Sequence, residues 1–184
     1  MRAVFPAVAA LALLPLAAAL TACDDPFSSG LDLIQLDSMN LAALGGPSAV
    51  GATAVDIAVN NSPAFPEVPS QAGNWDLQVR QSGTTFYLVP NPGDGSARGA
   101  GLQKTTRSIE NPGEAPRESD SYTRTQVAVV PGDAFYVQTR QRNPQCGLAS
   151  KFGLVKVVSV SADSGTAKLA VLSNQVCNDE RLEP

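Results

Sequence analysis

From Thr53 onward, apolar and polar residues alternate with a period of two, the repeat of a half-buried β-strand. In TAVDIAV, Val55, Ile57 and Val59 share one face, with Asp56 and Ala58 on the other. A connection carrying Pro63, Pro66 and Pro69 follows. NWDLQVR then sets Trp75, Leu77 and Val79 inward and Asp76, Gln78 and Arg80 outward. The short Gln81-Ser82-Gly83 turn leads straight into TTFYLV, which predicts a hairpin. KFGLVKVVSV, the turn ADSG and TAKLAVLS predict another, with Gly165 supplying the positive φ of the turn. A third is expected where SYTRTQVAVV meets DAFYVQTRQ across Pro131-Gly132. Proline then glycine suits the centre of a type II turn, which matches strand twist poorly and predicts a splayed or bulged hairpin.

The glycine-rich stretch 91–101 and the polar stretch 110–120 read as loops around a strand at 102–106. Leu31 to Gly46 reads two ways. LDLIQL alternates like a strand, whereas SMNLAALGG suits a short helix with Ser38 as N-cap and Gly45 at its end. About seven strands joined by proline and glycine predict an all-β domain, an antiparallel β-sandwich or open barrel built from successive hairpins.

The first residues follow a different pattern. One charge, Arg2, precedes an uncharged apolar run from Ala3 to Ala22, as in an export signal. The run is long enough to cross a bilayer, so its end decides the reading. Leu20-Thr21-Ala22-Cys23 resembles the lipobox of bacterial lipoproteins: a branched apolar residue, two small residues, then cysteine. That resemblance implies cleavage after Ala22, a lipid on Cys23, and attachment to the membrane through that lipid. The expected organisation is a signal over 1–22, a lipidated tether over 23–30, and one extracytoplasmic β-domain over 31–184. Asp24 after the cysteine resembles an inner-membrane retention signal of some bacteria.

Composition narrows the function. The formal net charge is −4, and loss of Arg2 with the signal takes it to −5. No basic run is present, which argues against nucleic acid as a partner. Cys146 and Cys177 are the even pair left in an exported chain, and they read as a disulfide. The competing reading is two thiols or half of a metal site, which would need carboxylates because the chain has no histidine. Lack of histidine also removes Ser-His-Asp and Cys-His chemistry, and no Ser-x-x-Lys pattern occurs. Carboxylates remain: Asp56 and Asp76 on outward strand faces and Asp133 at a turn, read as solvated charge. The basic residues Arg98, Lys104, Arg107, Arg117, Arg124, Arg140 and Arg142 are interleaved with acids and predict a mixed-charge surface. No catalytic residue, cofactor or metal ligand is assigned.

Trp75-Asp76-Leu77-Gln78-Val79-Arg80, followed by Gly99-Ala100-Gly101, is similar to a stretch of the HmuY-like proteins, lipid-anchored β-proteins of which some capture haem. Phe135 to Arg140 and Leu154 to Val157 resemble that family's later strands. The resemblance implies a shared fold and anchoring. It does not carry over bis-histidine haem ligation, and Met39 is the only methionine beyond the signal. The leading expectation is therefore a lipid-anchored envelope protein whose non-catalytic β-domain binds a ligand or partner or serves structurally. An HmuY-like relative with altered ligand and a carboxylate-based hydrolase are the alternatives. A cleft lined by Trp75, Tyr87, Tyr122 or Tyr136 would favour ligand binding.

Overall fold

A computed structural model describes residues 34–47 and 50–183. The signal segment, Cys23 and the tether lie outside the described residues. Among those described there is no α-helix, and no helix long and apolar enough to cross a membrane. The strands are β1 (Ile34–Ala42), β2 (Ala54–Asp56), β3 (Ser62–Ala64), β4 (Leu77–Ser82), β5 (Thr85–Pro90), β6 (Gly101–Thr105), β7 (Val127–Val129), β8 (Ala134–Gln138), β9 (Phe152–Ser161) and β10 (Thr166–Asn174). They form two five-stranded antiparallel sheets, ordered β1-β10-β9-β8-β6 and β3-β2-β4-β5-β7. The fold is all-β, an open sandwich rather than a closed barrel.

Alternation explains the core. Leu77, Val79, Phe86 and Leu88 of the second sheet meet Phe135, Val137, Val155, Val157 and Leu169 of the first in one buried cluster. Because neighbours along a strand point to opposite faces, Tyr136, Leu154 and Leu172 emerge on the far side of the first sheet. There the 109–122 segment and Leu182 cover them, forming a second apolar cluster. Tyr122 and Tyr136 are buried in it and donate their hydroxyls to the carbonyls of Pro116 and Pro112.

Two expected hairpins are present. β4 and β5 pair from Leu77↔Pro90 to Ser82↔Thr85, with Gly83 in the turn at φ 59°. β9 and β10 pair around a loop whose Gly165 has φ 61°, and the register shifts once, between Lys168 and Leu169. The third hairpin is not formed. Asp133 N–H donates to the Val130 carbonyl and Gly132 has φ 95°, so the Pro131-Gly132 turn forms as expected. It carries the chain from the second sheet to the first: β7 pairs with β5, and β8 pairs with β6 and β9. The helix expected from Ser38 is also absent. Ser38 to Ala42 instead continue β1, whose nine residues pair with β10 and bury Leu41, and the chain turns at Gly45 with φ 85°. A long partner strand satisfies every second backbone group, which a two-turn helix could not match. Ser62-Pro63-Ala64, within the proline-rich connection, forms the edge strand β3, where a missing N–H is tolerated.

Cys146 and Cys177 are joined, with Cα atoms 5.6 Å apart. Cys146 lies before β9 and Cys177 after β10, so the bridge closes the open end of the final hairpin. Peptide mapping of the unreduced protein should recover this pair. Reduction should lower the unfolding free energy by about 3–4 kcal/mol, the loop-closure value for this separation. Two thiols freely alkylated in native, non-reducing buffer would contradict it.

Candidate functional site

Asp56 ends β2, Asp76 immediately precedes β4, and Arg140 lies just beyond β8 on the other sheet. The Arg140 guanidinium meets Asp56 with two hydrogen bonds, Nη1 at 2.8 Å and Nη2 at 3.0 Å. Its Nη1 is also 3.1 Å from Asp76 Oδ1. All three side chains are almost wholly buried, at 5%, 8% and 0% exposure for Arg140, Asp56 and Asp76. The outward, solvated placement expected for the two aspartates is thus corrected. Alternation puts them off the main core, but loops and the opposite sheet enclose that face too. Gln78 is similarly buried, donating to Glu67 Oε1 at 3.0 Å, and only Arg80 of the expected outward set is exposed.

Asp76 is held from three sides. Its Oδ2 accepts from Ala58 N–H at 2.9 Å, and its Oδ1 from Arg140 N–H at 2.8 Å, beside the ionic contact. Burial still prevails and pushes its carboxyl up to about 6, against the lowering from Arg140. Burial alone would depress Arg140, but the Asp56 and Asp76 carboxylates hold it above the ordinary arginine value.

A second cation, Lys151, completes the network at 1% exposure. Its Nζ donates to the Ala58 carbonyl at 2.8 Å, to Gln175 Oε1 at 2.6 Å and to Gln145 Oε1. Burial lowers its pKa, opposed by the nearby charges of Asp56 and Asp76. Gln145 and Gln175 sit next to and near the two bridged cysteines, so the disulfide gathers the groups that cap the Lys151 ammonium.

Above the network is a cleft of about 250 Å³. Trp75, expected inward beside Leu77 and Val79, instead lies apart from their core: it precedes β4, packs against Ala54 and Ala64 and forms one wall, with its indole N–H donated to the Ala72 carbonyl at 2.8 Å. Gly73, Pro92 and Gly93 shape the sides, and Arg140 lies at its floor. The glycine-rich loop is folded closely on itself: a Cβ on Gly93 or Gly99 would collide with backbone across the loop. Gln141 fastens it, accepting from Arg98 N–H at 3.0 Å and donating its own N–H to the Arg98 carbonyl at 2.9 Å. At the mouth, Arg142 adopts φ 58° and its Nη1 meets Asp94 Oδ2 at 3.0 Å.

The expected aromatic residues do not converge. Tyr87 lies beside Arg80 in a separate hollow of about 320 Å³, and Tyr122 and Tyr136 are buried elsewhere. A larger groove of about 550 Å³ crosses the outer face of the first sheet near Leu36 and Val158, without an aromatic side chain. Asp133 pairs with Lys104 at 2.7 Å at the surface. Arg117 with Glu180 and Arg142 with Asp94 give the expected mixed-charge character at the surface, but Arg140, expected there with them, is buried by its contacts to Asp56 and Asp76. Arg140 and Lys151, the cations that organise the site, carry no motif that marks them.

The Asp76 shift has a consequence for stability. Its folded value lies above its unfolded one, so the protonated form favours folding below about pH 4 and that gain is lost as pH rises through about 6. With no histidine to titrate in this range, the unfolding free energy should fall between pH 4.5 and 7, by about 2 kcal/mol. Surface carboxylates with lowered values, Asp94, Asp133 and Asp179, act only at lower pH and in the opposite sense. Denaturant melts across this range that stay flat or rise would contradict the assignment.

No protein-family model matches the chain, no curated protein matches it in sequence, and no solved structure matches it in fold.

Proposed function

We propose that this is a lipid-anchored protein of the cell envelope, held by Cys23, whose extracytoplasmic β-domain binds a small ligand in the Trp75 cleft without catalysis. The observation that carries the binding reading is the cleft itself. It sets the chain's only tryptophan beside the closely folded glycine-rich loop, a concave surface in which Asn91, Asp94, Arg140, Gln141 and Arg142 supply the polar part of the lining. The hydrolase alternative is disfavoured by the same geometry. Glycosidic chemistry needs two carboxylates flanking a substrate, whereas Asp56 and Asp76 are spent on Arg140 beneath the cleft. Asp94 is the one carboxylate lining it among the described residues, and it is paired with Arg142. The lipobox supports the anchoring, and the disulfide favours an oxidising compartment.

A second reading, an HmuY-like relative, rests on the resemblance of Trp75 to Arg80 and Gly99 to Gly101 to a stretch of that family. It shares the anchoring and differs in the ligand expected.

Two experiments test the proposal. Cys23→Ser should abolish membrane association and leave the chain unprocessed in detergent phase partitioning; normal processing and anchoring of the variant would refute the lipid. For the cleft, Gly73 offers a plug, since a Cβ there meets nothing within 4 Å. A screen of single-ring fragments should perturb Trp75 fluorescence in the wild type and not in Gly73→Leu. Fragments that perturb both equally would place binding elsewhere.

A further inference from the structure

The polar groups lining the cleft are largely committed already. Asn91 uses both ends of its amide, donating to the Trp75 carbonyl at 2.7 Å and accepting from Gly93 N–H at 2.8 Å. Gln141 Oε1 is taken by Arg98, and the Arg140 guanidinium by its two aspartates. A sugar ring requires hydrogen-bond partners for its hydroxyls, and buried hydroxyls left unmatched weaken binding. This lining has few to give. What it offers instead is the Trp75 wall with alanine, glycine and proline around it, in a volume below the roughly 300–1,000 Å³ of drug-sized pockets. Such a slot fits one flat apolar ring.

One charged group at the mouth remains exchangeable. Arg142 and Asp94 are each 54% exposed, and an ion pair so exposed is weak. Asp94 is the fixed partner. Its Oδ1 accepts from Ser96 N–H, Ser96 Oγ and Ala97 N–H, all within 2.9 Å, which binds it to its own loop. Only Oδ2 faces Arg142. Arg142 is thus a guanidinium held at the cleft mouth by a partner that a ligand anion can replace. A carboxylate matches its planar fork, which can form two parallel hydrogen bonds.

From these observations we infer that the cleft takes an aromatic monocarboxylate, its ring against Trp75 and its carboxylate on Arg142 in place of Asp94. This rests on the reading of the cleft as the binding site and adds the ligand's chemical class. Asp94 is then an internal competitor that sets the affinity, and added salt weakens binding by screening the exposed charge.

The test is a Trp75 fluorescence titration of the full chain in detergent solution with benzoate, benzyl alcohol, galacturonate and galactose. Benzoate should bind about ten-fold more tightly than benzyl alcohol, the scale of a charge-assisted hydrogen bond, and more tightly than either sugar. Asp94→Asn keeps the Oδ1 contacts of the loop and removes only the charge facing Arg142, so it should tighten benzoate binding about three-fold. Arg142→Asn, which tolerates the positive φ, should abolish the preference for benzoate over benzyl alcohol. Gly73→Leu should abolish every response.

Equal binding of benzoate and benzyl alcohol, lost in Gly73→Leu, overturns the carboxylate inference while the cleft stands. Tighter binding of a sugar, lost in the same variant, overturns the ring class alone. An unchanged or weaker response to benzoate in Asp94→Asn removes the competitor role and with it the inference. No response to any of the four overturns the inference and the cleft together.

Discussion

Arg140 crosses from one sheet to the other and is met there by two carboxylates, and much of the remaining structure follows from enclosing that contact. Charges so buried are costly to remove from water, and attraction offsets the cost only with close geometry and further hydrogen bonds. Each requirement has a structural answer. Asp56 supplies a two-bond contact at the end of β2, and Asp76 turns the backbone N–H groups of Ala58 and Arg140 toward its oxygens. Lys151 adds a second positive charge nearby, capped by Gln145 and Gln175. The disulfide holds the segments that carry those two glutamines. The sandwich is joined by an apolar core along its length and by this charged network at one end.

The same network builds the cleft. Arg140 is its floor, and the neighbours of Arg140 and Asp76 in sequence are its mouth and wall, Arg142 and Trp75. Fixing the two ends of the ion network therefore fixes the distance between the tryptophan and the exposed guanidinium. The glycine-rich loop is drawn in by Gln141, again one residue from Arg140. Rigid placement of this kind is what a small binding surface needs, since ordering costs are met during folding rather than on binding.

Much of the fold was legible in the sequence because period-two alternation is a direct consequence of strand geometry. Leu77, Val79, Phe86, Leu88, Val155, Val157 and Leu169 pack together as their spacing requires. The turn at Pro131-Gly132 was legible as a turn, but its partner strands were not. Local chemistry sets the dihedral angles of a turn, whereas which sheet receives the next strand depends on contacts distant in sequence. β1 runs on beyond Ser38 because a pairing 132 residues away, Ser38 with Ala170, outweighs local helix preference. The site was least legible. Alternation correctly set Asp56 and Asp76 opposite their apolar neighbours, yet an outward face is solvated only if nothing covers it. Arg140 and Lys151 each lie beside apolar strands; the burial of Arg140 depends on carboxylates more than 60 residues away in the chain, and that of Lys151 on the Ala58 carbonyl, Gln145 and Gln175.

The most direct test of this account is a double-mutant cycle between the sheets, with unfolding free energies for wild type, Asp76→Ala, Arg140→Met and the double variant. If the two side chains form one buried network, Arg140→Met strands two carboxylates and should cost about 3–5 kcal/mol, while Asp76→Ala leaves the buried Ala58 and Arg140 N–H groups without their acceptor, at about 1–3 kcal/mol each. The double change should then cost less than the sum of the singles by about 1.5–3 kcal/mol, the range for residues in one network. Singles that cost under about 0.5 kcal/mol, or that add within about 0.5 kcal/mol, would show that Arg140 does not join the sheets through Asp76.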